Sequence, residues 1–223
     1  AVSEYAQMLT AGALMPADER EAILSRAAAL MGLSKEFVSK ASGRIAIDDF
    51  ARMLRKEHGE ITDLYDGSQW SLDPFPHRTN NEKAIDGSLF NDTHIFQNAV
   101  HQWLIAELGV ETTLEYEVLS MEAHKAWKND EKTFDLFELP SSMDDFRAGM
   151  TSNGQQRAMI VHGRFDTVTP YFASRRLLAQ ATLHPEVRGR IQEVLHDGGH
   201  MFYSWPEINA AFASQVADFV KPA

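Results

Sequence analysis

Three side chains late in the sequence have the right types to do chemistry: Asp166, His196 and His200. Two histidines at i and i+4 bind a metal when a helix aims both at one spot. Here Gly198 and Gly199 lie between them, and adjacent glycines disfavour a helix. No third ligand stands at a convincing spacing, so no metal is expected. A carboxylate and an imidazole suit a different task. An aspartate bonded to one ring nitrogen fixes the tautomer and steadies the imidazolium formed when the other nitrogen accepts a proton. That is the general-base half of a Ser-His-Asp triad, with Asp166 and His200 as its members. Gly198 and Gly199 are then expected to let the backbone turn tightly and bring His200 to the surface. Taken singly, Asp166 could cap a turn and His200 could be a structural histidine. What favours chemistry is where the surrounding elements put them.

From about Asp144 the pattern is strand, loop, helix, strand, loop, helix. Ala158 to Val161 is an unbroken apolar run, as in a strand buried on both faces. Thr169 is placed to cap a helix begun by Pro170, with Phe172, Leu177 and Leu178 inward. Ile191 to Leu195 reads as the second strand. Pro206 opens a last helix with the stripe Ile208, Ala211, Phe212, Val216, Phe219 and Val220. This rhythm is that of a parallel sheet with helical crossovers. Asp166 and His200 then follow consecutive strand ends, the edge where such sheets gather ligands.

The first ~110 residues read as mostly helical. Pro16 suits a first helical turn, Ile23, Ala27, Leu30 and Met31 share a face, and Gly32 suits a left-handed stop. Ser34 can cap a short helix carrying Phe37 and Val38, and Asp48 another that ends near Gly59. Asp66-Gly67 signals a hairpin turn, and Asp73 to Gly87 reads as loop. Asn91 or Asp92 is expected to cap a helix with Phe96, Trp103, Leu104 and Leu108 in its stripe. Leu114, Tyr116 and Val118 alternate with glutamates, as in a half-buried strand. The acidic pairs Asp48-Asp49 and Asp144-Asp145 read as helix-start charges.

A triad also needs a serine. In α/β hydrolases it sits on a Gly-x-Ser-x-Gly elbow that precedes the acid and the histidine. No serine before Asp166 has glycine at both −2 and +2. Two strands are also too few for an independent parallel α/β domain.

"GRFDTVTPYFASR" (163–175) and "DGGHMFY" (197–203) resemble the acid and histidine loops of bacterial serine carboxypeptidase-like peptidases. "EYAQMLTAGALMPADER" and "LEYEVLS" are similar to parts of the cap that these enzymes insert into their sheet. The resemblance implies an α/β fold in which residues 1–143 form a helical cap and residues 144–223 the last strand-helix units of the α/β-hydrolase sheet, incomplete in this chain. It implies Asp166 and His200 as triad members and a catalytic serine upstream of Ala1. Met201 matches a residue that lines the leaving-residue pocket, and Tyr203 is a candidate for the same wall. The cap would wall the cleft and shape side-chain preference. The expected activity is release of the carboxy-terminal residue from peptides, with no cofactor. An esterase or acyltransferase on the same scaffold is the alternative, since fold does not fix reaction. So is a non-catalytic fragment that binds a partner through an exposed sheet edge.

The totals narrow the classes. The net charge of −11 disfavours nucleic acid and anionic membrane surfaces as partners. The basic stretch Arg52 to Lys56 is too short to change that. No apolar run approaches the roughly 20 residues of a membrane span. The absence of cysteine excludes disulfides and thiolate chemistry but no compartment, since a secreted bacterial protein can lack cysteine. It departs from the disulfide-bonded eukaryotic members of the family and suits a bacterial one, expected to be periplasmic or secreted. The start at Ala1 is expected to reflect processing or a longer protein. The expected partners are a peptide substrate and the upstream part of the same protein; a homo-oligomer is left open.

Overall fold

The computed structural model describes residues 2–77, 87–114, 116–127 and 142–221, with backbone only for 87–92. The fold is mixed α/β, and among the described residues it has two sheets of two strands each. No described helix is long and apolar enough to cross a membrane. The chain divides into two compact units, Ala1–Gly87 with Phe165–Val168, and Ser88–Arg164 with Thr169–Ala223. The boundary expected from the sequence at 143/144 lies in the first turn of a helix.

The first unit opens with helices α1 (Val2–Ala11), α2 (Ala17–Met31), α3 (Lys35–Lys40) and α4 (Ile47–Leu54). Local signals set their ends. Pro16 is the N-cap of α2, and Gly32 stops it at φ 71°, donating its N–H to the Ala28 carbonyl. The Ser34 hydroxyl accepts from the Phe37 N–H and so starts α3. Asp48 and Asp49 lie in the first turn of α4, though Ala46 is its N-cap and no side chain caps it. Met8, Ile23, Leu24, Ala28, Leu33 and Val38 form the core. Leu30, expected on that face, is exposed, because the buried side of α2 runs through Ile23, Leu24, Ala27 and Ala28. The Tyr5 hydroxyl donates to the Gly43 carbonyl, and burial pushes its pKa up against the opposing charge of Arg44.

After α4, β1 (Glu60–Thr62) pairs antiparallel with β2 (Trp70–Leu72). The hairpin loop is longer than a two-residue turn. Asp66 accepts from the Ser68 N–H at 2.9 Å and its hydroxyl at 2.6 Å, an Asx arrangement that replaces the tight Asp-Gly turn. The basic stretch at 52–56 is not a solvated face. The Arg52 side chain is 1% exposed and pairs with Asp73 at 2.5 Å, also donating to the Phe75 carbonyl at 3.1 Å. Breaking a buried pair strands a charge in low dielectric. Arg52→Met is therefore expected to destabilise this unit by about 3 kcal/mol in urea unfolding. An unchanged midpoint would refute that role.

The second unit begins with α5 (Gly87–Gln102), which continues as a π-turn over Trp103–Glu107. It starts before the expected caps Asn91 and Asp92, which lie inside the helix, since no proline interrupts the turn upstream. Trp103 and Leu108 are exposed rather than core. The described residues of the strand expected at Leu114 to Val118 are irregular, Glu115 lies outside the described residues, and Leu114 is 78% exposed. An alternating pattern makes a strand only beside another strand. The expected loop after Asp73 is irregular through residue 77, and 78–86 lie outside the described residues.

Then follow α6 (Met121–Ala126), α7 (Met143–Ser152), β3 (Ala158–Gly163), α8 (Tyr171–Gln180), α9 (Pro185–Arg188), β4 (Ile191–His196) and α10 (Pro206–Phe219). Asp144 and Asp145 occupy the first turn of α7, where carboxylates favour the dipole. β3 and β4 pair in parallel, from Ala158↔Ile191 to Gly163↔His196. The βαβ reading is borne out there. β3 is half-buried rather than buried on both faces, because β4 is its one partner among the described residues. In α8, Leu178 is buried while Phe172 and Leu177 are exposed, so one inward position of the three expected is filled. α10 starts at Pro206 as expected. Ile208, Phe212, Val216 and Phe219 are half-buried, but Ala211 and Val220 are exposed.

Glu193 on β4 ties the surrounding helices. It accepts from Arg188 at 2.5 Å and Arg175 at 3.4 Å. The Arg188 hydrogen bond, outweighing burial and joined by the charges of Arg188 and Arg175, holds its carboxyl below the usual 4.5. A depressed folded pKa stabilises above the unfolded pKa and fades as pH falls through the folded one. Glu193→Gln should thus cost up to about 1 kcal/mol at neutral pH, because its partners are half-exposed. The gap between the two proteins should close in acid below the ordinary glutamate pKa. A gap that widens in acid would contradict the assignment.

Candidate active site

Gly163 and His196 face each other at the carboxyl end of the parallel pair. The loops carrying Asp166 and His200 leave the sheet from these two positions. The ladder runs one step further, since the Arg164 N–H donates to the His196 carbonyl at 2.8 Å. Arg164 Nε also reaches Asp197 Oδ1 at 2.5 Å, and this bond raises the guanidinium pKa. The first residues of the two loops are therefore tied together.

The tie depends on close approach at two glycines, Gly163 and Gly198. Gly198 and Gly199 were expected to adopt tight-turn backbone. The positive-φ glycines among the described residues are Gly12, Gly32, Gly43, Gly59 and Gly109. The need at this loop is close approach. A Cβ on Gly163 would overlap the Gly198 and Gly199 carbonyl oxygens and lie 2.7 Å from the Gly199 carbonyl carbon. A Cβ on Gly198 would lie 2.8 Å from that of Phe202. The histidine loop thus folds directly over the end of β3.

His196 belongs to the packing beneath this loop. It is 8% exposed and stacks on Phe202, with ring centroids 5.1 Å apart and an interplanar angle of 20°. Phe212 of α10 meets both rings edge-on. The two histidines of "HDGGH" thus have different surroundings. His196 sits in an aromatic cluster, and among the described residues no three metal-ligating side chains converge.

His200 is half-buried in a turn. Its Nδ1 lies 3.1 Å from the Thr169 hydroxyl. Thr169 was expected to cap α8. Instead Pro170 is the N-cap, with no side-chain capping bond, and the threonine faces the imidazole. Sequence spacing could not separate these two uses of a threonine before proline. Met201 is half-buried beside His200, and its carbonyl accepts from the Ser204 N–H. Tyr203 is exposed and rests edge-on against Phe202.

Asp166 lies in the short segment that belongs to the first unit. That segment is held by the Thr167 N–H and hydroxyl, both donating to the Leu64 carbonyl, and by the Gly67 N–H donating to Phe165. Asp166 is 5% exposed and accepts from the Val168 N–H at 2.9 Å.

A second imidazole-hydroxyl pair deserves comparison. His162 Nε2 of β3 lies 2.9 Å from Ser174 Oγ of α8. The space beside this pair is about the size of one water molecule, too small for a peptide. It ties helix to strand.

No protein-family pattern, curated protein or solved structure matches this chain.

Proposed function

We propose that this chain is part of a serine-type carboxypeptidase of the α/β-hydrolase class, in which His200 is the general base and Asp166 its orienting acid. The observation that carries this reading is the parallel β3–β4 pair, whose shared carboxyl edge gives rise to both loops. The likeness of those loops to serine carboxypeptidase-like peptidases adds the reaction.

The nucleophile is a serine in a part of the protein outside residues 1–223. His200 Nε2 takes the serine proton as the hydroxyl attacks the scissile carbonyl. It then gives that proton to the departing amine, releasing the terminal amino acid and leaving an acyl-enzyme. Water, deprotonated by the same nitrogen, cleaves the ester. Asp166 steadies the imidazolium in both halves. Met201, next to His200, and Tyr203 are proposed to line the leaving-residue pocket.

The test uses the natural full-length product and a serine-directed fluorophosphonate. The label should map to a serine outside residues 1–223. Release of single residues from peptide carboxyl ends separates the peptidase from an esterase or acyltransferase. A folded full-length product that takes no label would overturn the reading.

A further inference from the structure

We propose that the groove between α3 and the end of α4 binds an amphipathic monocarboxylate, an aliphatic chain with one negative head group. The groove has a volume of about 490 Å³, the size of a small-ligand site. Its lining is divided by chemistry. Phe37, Ala41 and Met53 supply apolar surface, and Lys40 and Lys56 supply positive charge. Phe37 and Met53 also pack against the core of the first unit, so the apolar side belongs to a folded wall. Both helices are anchored without a ligand. The Ser34 hydroxyl holds the start of α3, and the buried Arg52–Asp73 pair holds α4. The unbranched thioether of Met53 adapts to a flexible chain laid against it.

The charges select the head group. Three neighbouring cations are already neutralised: Lys35 by Glu21 at 3.0 Å, Arg52 by Asp73, and Arg55 by Glu60 at 2.5 Å. Among the described residues Lys40 and Lys56 form no ion pair. Lys56 is half-buried. A lysine so placed covers apolar surface with its stem and leaves its ammonium to meet a head group. Glu36 lines the same groove, so the surplus is one positive charge. That suits a single carboxylate better than a phosphate or a polyacid.

The test uses the full-length product labelled at its methionine methyl groups and read by NMR. The Met53 signal is identified by its loss in Met53→Leu, a volume-conserving change. Octanoate, below its micelle range, is the probe, and octanol is its uncharged counterpart. Octanoate should move the Met53 signal to saturation, and octanol should bind at least about fivefold more weakly. Lys40→Met and Lys56→Met should each weaken octanoate about two- to fivefold, the scale of one exposed ion pair, and leave octanol unchanged. Added salt should weaken octanoate alone. Thermal midpoints within a few degrees of the parent show that the variants fold.

A Met53 signal that ignores octanoate, or that answers octanol equally well, would overturn the proposal. So would a signal that moves with protein concentration alone, as self-association through the groove would cause. The outcome is independent of the hydrolase reading: octanoate binding at Met53 stands even if the full-length product takes no fluorophosphonate.

Discussion

Replacing His200 with alanine in the full-length protein should lower fluorophosphonate labelling and peptide hydrolysis by about 10⁴-fold or more. Removing the base of a triad costs roughly that much, because the serine then has no acceptor for its proton. The residual rate would come from transition-state binding elsewhere in the site. Asp166→Asn should fall by a comparable or smaller factor, since an amide oxygen still accepts from the Val168 N–H and preserves the turn. His200 is half-buried in a turn, whereas His196 sits in the aromatic cluster below. His200→Ala should therefore leave the thermal midpoint within a few degrees of the parent. Full labelling in a folded His200→Ala protein would remove the imidazole from the mechanism. Loss of labelling together with unfolding would assign His200 a structural role instead.

The second large effect is on stability. Gly163→Ala should destabilise the second unit by about 4 kcal/mol or more. The added carbon would collide with backbone carbonyls, not with a flexible side chain that could swing away. Relief requires moving the whole histidine loop, including the packing of Phe202 against His196 and Phe212. Gly149→Ala is the control. Its added carbon has only the Gln156 side chain near it, at 4.0 Å, and it lies inside α7. There alanine should be neutral or stabilising by up to about 1 kcal/mol. Denaturant midpoints of the two variants decide the matter; similar values would mean that the loop moves aside freely.

These two predictions draw on different kinds of information. Residue types alone single out the candidate imidazole, since a histidine after a second strand and an aspartate after the first make a recognisable order. The collision at Gly163 could not. Its partners lie some 35 residues on, and the sequence there shows only two glycines. Those glycines suggested a tight turn, and the structure uses one of them for close contact with Phe202. The same limit explains Leu30, Trp103 and Leu114. A periodic stripe says that a face is apolar, not that something covers it.

By itself the sequence determined the helix boundaries set by nearby residues: Pro16 and Gly32 around α2, Ser34 at α3, Pro206 at α10. It also determined the parallel βαβ order, because period and turn chemistry act within a few residues. Only the tertiary structure decided that Arg52 is buried against Asp73, that Thr169 meets His200 rather than its own helix, and that Gly163 lies under the histidine loop. Each joins groups about 20 to 35 residues apart. Such contacts are chosen by packing and by the need to pair buried charge, and neither leaves a local mark in the chain.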